Sequence, residues 1–144
     1  MSQTYLNAHA DISINASVSA VWATLIDPES NNKFMFGSKV VSDWKEGSPI
    51  TWTGEWKGHP YQDKGKILKM VPAKTLQYTH YSEMMDSDDS PENYRTVTIE
   101  LSEDQGKTLV SLDQDKNKNE ADRDQAQKNW QIMLSALKEL AELR

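Results

Sequence analysis

The last stretch of the chain, from Glu120 to Arg144, constrains the fold most. It reads as one long amphipathic helix, and it follows a run patterned almost wholly as strands. On a period of about 3.6 residues, Trp130, Met133, Leu134, Leu137, Leu140 and Ala141 fall within about 120° of one face. Lys128, Gln131, Ser135, Lys138, Glu139 and Glu142 take the opposite side. Ile132, Ala136 and Leu143 widen the apolar face beyond what a helix lying on a flat sheet needs. Such a helix predicts a wrapping partner, and the strands before it can supply one. A curved sheet around a helix in turn suggests a cavity between them.

The rest of the pattern sets the order of elements. Tyr5 to Asn15 alternates, with Ala8, Ala10, Ile12 and Ile14 on one side, which predicts a half-buried strand. Ser17 can cap a helix starting at Val18, in which Val18, Val21, Trp22 and Leu25 repeat at helical spacing. Asp27-Pro28 ends it, and Pro28 can open a second short helix through about Asn32 or Lys33. Phe34, Met35 and Phe36 then form an apolar knot. A meander follows, with strands expected at Lys39 to Trp44, Ile50 to Lys57, Tyr61 to Met70, Thr75 to Tyr81, Arg95 to Leu101 and Lys107 to Asp113. The mixed charges from Asp113 to Gln127 read as a solvated connection and the first turns of the last helix. Adjacent antiparallel strands and one terminal helix predict an α+β class.

Composition narrows the function. A chain of 144 residues suits one domain and can bury a sizeable core. No cysteine is present, which excludes disulfides and thiolate chemistry. The histidines, at 9, 59 and 80, show no paired spacing, so no metal site is expected. A formal charge of −6 argues against nucleic acid as a partner. No apolar run approaches the roughly 20 residues of a membrane span. The first residues carry no signal-peptide pattern, so a cytoplasmic location is expected.

Certain residues resemble a known family more closely than topology alone requires. They are Val21-Trp22 followed by Asp27-Pro28, and Trp44 with Gly47. Lys64-Gly65-Lys66-Ile67 leading to Val71-Pro72-Ala73-Lys74-Thr75-Leu76 adds to these, as does the ending from Trp130 through Leu134, Leu137 and Leu140. Together they resemble the START-like, or polyketide-cyclase-like (SRPBCC), superfamily. Within it they resemble domains similar to the C-terminal domain of the heat-shock protein 90 ATPase activator (AHSA-like). Asn129, where members often carry glycine, and a long acidic loop depart from the pattern. The resemblance implies a helix-grip (START/Bet v-like) fold over residues 1–144, a curved antiparallel sheet around the terminal helix with two short helices after the first strand. It implies a cavity that in some members holds lipids, hormones or polyketides, and in a few is a reaction site.

Candidate residues follow. Trp52 and Trp56 share a strand face with Gly54 between them, a gap that could leave room for a ligand; filling the core against Trp130 is the other reading. Tyr78 and His80 share a face with Leu76, and Tyr61 shares one with Asp63. If both faces point inward, a phenol, an imidazole and a carboxylate meet in the cavity, to orient a polar substituent or for acid–base work; a one-residue shift in register would turn them outward. The acidic loop from Ser82 to Asn93 reads as solvated and mobile, with Met84 and Met85 over the cavity mouth. His9 and His59 are expected on the surface. No nucleophile elbow, phosphate loop or dinucleotide fingerprint appears.

The function expected is therefore a non-enzymatic binding module for a small, largely apolar or aromatic molecule. The ligand-binding set is Phe34, Phe36, Trp52, Trp56, Tyr78, His80, Trp130, Met133 and Leu137, with no catalytic residues and no cofactor. The alternatives are a chaperone-associated, stress-related protein-interaction domain and a cyclase- or dehydratase-like enzyme.

Overall fold

The structure is a computed structural model that describes residues 5–35, 37–82 and 88–144, apart from the side chain of Trp56. Alternation in the first strand is realised as β1 (Leu6–Ile14), whose Ala8, Ala10 and Ile14 are buried. The Ser17 hydroxyl accepts from the Ala20 N–H and caps α1 (Val18–Leu25). Asp27 accepts from Ser30 in the same way and caps α2 (Pro28–Phe34), with Pro28 in its first turn. The meander then runs through β2 (Lys39–Ser42), β3 (Pro49–Trp56), β4 (His59–Val71), β5 (Thr75–Ser82), β6 (Arg95–Asp104) and β7 (Lys107–Asn117). The chain closes with α3 (Glu120–Glu142), capped by Asn119.

All neighbouring strands pair antiparallel in one seven-stranded sheet, in the order β1-β7-β6-β5-β4-β3-β2. This is the helix-grip arrangement. Tight turns at Lys57-Gly58 and Gln105-Gly106 set the β3–β4 and β6–β7 registers, because all four residues have positive φ. That is the two-residue hairpin geometry whose twist matches the strands. Gly65 marks a close approach: a Cβ there would stand 1.6 Å from the Thr79 carbonyl oxygen, a clash that only glycine avoids.

The concave face of the sheet and the inner stripe of α3 form the core. Ile14, Val21, Ile50, Ile67, Val97, Ile99, Val110, Leu112, Met133, Leu134 and Leu137 are each at most 1% exposed. Burial of one such side chain is worth about 1.5–3 kcal/mol. The wrapping is narrower than the sequence suggests. Ile132 remains 58% exposed and Leu143 84%, since α3 leans chiefly on β1 and on the flank of α1 and α2. Beyond α3, the Arg144 guanidinium donates to the Thr24 hydroxyl at 2.6 Å and stands 3.5 Å from Asp27, tying the chain end to the helix pair.

Two further differences concern segments that read as solvated. β7 continues past Asp113 to Asn117, so part of the charged connection is sheet. On the convex face, the second part of the acidic loop is anchored. The Tyr94 hydroxyl donates to Asp89 at 2.6 Å, Lys64 pairs with Asp89, and the Tyr81 and Tyr94 rings stack at 5.3 Å. Met84 and Met85, expected over the cavity mouth, lie outside the described residues.

Candidate functional site: a chamber at the polar end of the helix grip

The inner face of β7 carries Thr108, Val110 and Leu112 and then, on the same side, Gln114 and Asn117. The row on β6 ends with Val97 and Arg95, and that on β5 with Tyr78 and His80. On α3 the stripe above Met133 reads Trp130, Asn129, Ala126, Gln125 and Asp122. All these stripes change from apolar to polar at one end of the molecule. There helix and sheet part around a chamber of about 460 Å³, walled also by Met35 and Asp63.

Its floor is rigid. The Trp130 indole N–H donates to the Gln114 side-chain oxygen at 2.8 Å. The Gln114 amide donates to the Asp115 carbonyl and to Asn117, and the Asn117 amide to the Leu6 and Gln114 carbonyls. Gln114 and Asn117 are 3% and 1% exposed, so this network meets the hydrogen-bonding needs of groups cut off from water.

The wall combines charge and aromatic surface. The Trp52–Asp63 register pair places Asp63 beside β5, where its Oδ2 meets His80 Nε2 at 2.9 Å. Trp52 presents its ring at 5.2 Å from the rings of both Tyr78 and His80. The second carboxylate oxygen of Asp63 is buried and receives no protein hydrogen bond. Arg95, opposite His80 in the β5–β6 ladder, is half-buried. Burial draws its pKa below the usual guanidinium value, against the opposing fields of Asp122 and Asp115. It still carries its charge at neutral pH, and among the described residues no carboxylate closes a salt bridge on it.

Residues 15–142 match the family described as Activator of Hsp90 ATPase homolog 1-like protein. The chain belongs to that family.

Solved structures agree with this family's helix-grip architecture. The chain is 44% identical to ChR145 from Cytophaga hutchinsonii, covering 99% of this chain and 97% of that one, with a TM-score of 0.85. It is 19% identical to an Aha1 dimer from Colwellia psychrerythraea, covering 96% and 97%, at TM-score 0.70. Ara h 8.0201, 10% identical over 98% of this chain and 100% of the other, shares the fold at TM-score 0.78. No curated protein matches the chain at a significant level.

Within this family member, the expected ligand-binding residues fall into groups. His80 and Trp130 line the chamber. Phe34, Trp52, Tyr78 and Met133 surround a narrow inner pocket of about 10 Å³, and Leu137 lies fully buried in the core. Phe36 and the Trp56 side chain lie outside the described residues. The gap at Gly54 is taken by Tyr61, whose hydroxyl would stand 2.8 Å from a Cβ there. Both aromatic faces left open in the sequence point inward, since Tyr78 is 4% exposed and Asp63 and His80 meet in the chamber. His59 is exposed, and His9 is half-exposed between Asp11 and Asp113. Among the described residues no cluster of three or more His, Cys, Asp or Glu is placed to hold a metal, and no helix is long and apolar enough to cross a membrane.

Sequence reasoning missed Met35, Arg95, Gln114, Asn117 and the first turns of α3. A signal for Gln114 was present: it continues the Val110–Leu112 alternation by one step. Likewise Ala126 and Asp122 continue the helical stripe upward from Trp130 at i−4 and i−8.

Proposed function

We propose that this chain is a non-enzymatic binding module that holds a small amphiphilic molecule in the chamber. The molecule's apolar or aromatic part lies toward Trp52, Met35 and Trp130, and its polar part meets Arg95, His80 and Asp63. The observation that carries this reading is the coincident change of the β5, β6, β7 and α3 inner stripes from apolar to polar around about 460 Å³ of space. Concave sites with apolar walls and a few convergent polar groups are where small ligands bind. An enzymatic reading finds less support. Asp63 and His80 are joined, but the Tyr78 phenol is fully buried, and burial pushes its pKa up, away from proton transfer near neutrality.

The test is a heteronuclear NMR titration with fatty acids, flavonoids and aromatic polyketides, repeated on Arg95→Met. Saturable shifts at the Trp130 indole and the His80 ring, weakened in the variant, are expected. A silent panel would sink the proposal. The family match favours one second reading, a chaperone-associated, stress-related protein partner. Affinity capture that returns a chaperone equally from the chain and from Arg95→Met would favour it.

A further inference from the structure

Among the described residues, two buried side-chain oxygens have no hydrogen-bond partner, and their residues line two spaces that share Met35 as a wall. One is Asp63 Oδ1 in the chamber wall; the other is Asn31 Oδ1 on α2, in a side chain 5% exposed. Asn31 lines the inner pocket, whose other walls include Trp44, Trp52, Tyr78 and Met133. Met35 lines both the chamber and the inner pocket, so its side chain divides them. It stands one helical turn beyond Asn31, and its N–H donates to the Asn31 carbonyl at 2.7 Å.

We infer that the chamber continues inward past Met35 into a second subsite, and that the ligand taking both is a neutral hydroxylated aromatic, donating hydrogen bonds to Asp63 and to Asn31. This rests on the binding reading proposed above and names its ligand class. The two oxygens dictate the polar chemistry. A carboxylate can only accept, and the amide oxygen likewise needs a donor. A carboxylate ligand would place like charges together at Asp63, and an ammonium would face the Arg95 guanidinium, on which no carboxylate among the described residues closes a salt bridge. Two neutral hydroxyls, one donating to each acceptor, satisfy both without either conflict. Trp44, Trp52 and Tyr78 make the surface between them suit a ring. In its present shape the inner pocket has room for about one water. Ring entry therefore requires the divider to swing aside, and an unbranched, half-exposed methionine at the end of a short helix can do so.

The experiment titrates the intact 144-residue chain with dihydroxynaphthalene and, separately, with its dimethyl ether, which keeps the rings and loses both donors. The reporters are the Asn31 side-chain amide, the Met35 methyl and the Trp52 indole inside, and the Trp130 indole outside. The diol is expected to shift all four and to bind about tenfold more tightly than the ether, the worth of satisfying a buried acceptor. Asn31→Leu should shrink that preference to the share that Asp63 supplies, while the Trp130 shift persists. Should that variant fail to fold, Met35→Ala serves, and removal of the divider should raise diol affinity. Equal binding of diol and ether overturns the inference. So do shifts confined to Trp130, a preference undiminished in Asn31→Leu, or unchanged affinity in Met35→Ala; the chamber proposal survives all of these. Silence at every reporter with both probes overturns this inference, and silence across the wider panel overturns the chamber as well.

Discussion

Along the second half of α3, Met133, Leu134, Leu137 and Ala141 face the sheet and are each at most 1% exposed. Along the first half, the same stripe carries Asp122, Gln125, Ala126, Asn129 and Trp130, and helix and sheet separate around the chamber. One helix and one concave sheet thus serve two purposes. Where both surfaces are apolar, close packing excludes space and contributes stability. Where both become polar, each side chain needs a partner, and the space left over is available to a ligand. Close packing and open space are divided along the axis of a single helix.

The contrast can be broken most directly at Leu137. Leu137→Ala should cost about 2–5 kcal/mol of unfolding free energy, measured by urea denaturation, since the cavity it leaves has no room to collapse. A loss below about 1 kcal/mol would mean that the lower half of α3 is not close-packed. At the boundary, Gln114→Leu removes the acceptor of the Trp130 indole and a partner of Asn117. It should cost about 1–3 kcal/mol and alter tryptophan emission. In the chamber itself the direction should reverse. Arg95→Met should leave stability within about 0.5 kcal/mol or raise it, because folding half-buries this cation and desolvates it, a cost that methionine does not carry. A melt showing a large loss would make Arg95 structural and remove it from the site.

The smallest effect belongs to the exposed flank. Hydrogen bonds to Asp113 first, and then to Asp11, raise the pKa of His9 above its ordinary 6.5. Because the folded value is the higher, this contribution is complete below pH 6.5 and fades as pH rises through the folded value. Being half-exposed, it should amount to less than about 1 kcal/mol and weaken with salt. The difference in pH dependence between the native chain and His9→Gln isolates it; identical slopes would show that the cluster contributes nothing.

Much of the architecture was legible in the sequence. Ser17 and Pro28 marked helix starts through backbone chemistry that acts within one turn, and alternation in β1 and β6 named the buried face. The site was legible only in part. β7 read as ending at Asp113, and its last four residues hold Gln114 and Asn117, the chamber floor. Polar residues there look like a loop, because their burial depends on β1 pairing alongside and Trp130 descending from α3. The strand alternation named Trp52 and Tyr78 and the helical stripe named Met133, but pattern alone does not separate a residue that fills space from one that borders it.

Local chemistry therefore determined the order of elements, their faces and the helix that the sheet must grip. Hydrophobic periodicity and capping act between residues within a few positions of each other, so a single sequence carries them in full. Tertiary structure decided the register that joins Asp63 to His80, the depth to which Trp52 and Tyr78 sink, and where helix and sheet part. Those outcomes depend on side chains meeting across strands and between helix and sheet, where one filled gap at Gly54 and one polar step at Gln114 determine what is core and what is cavity.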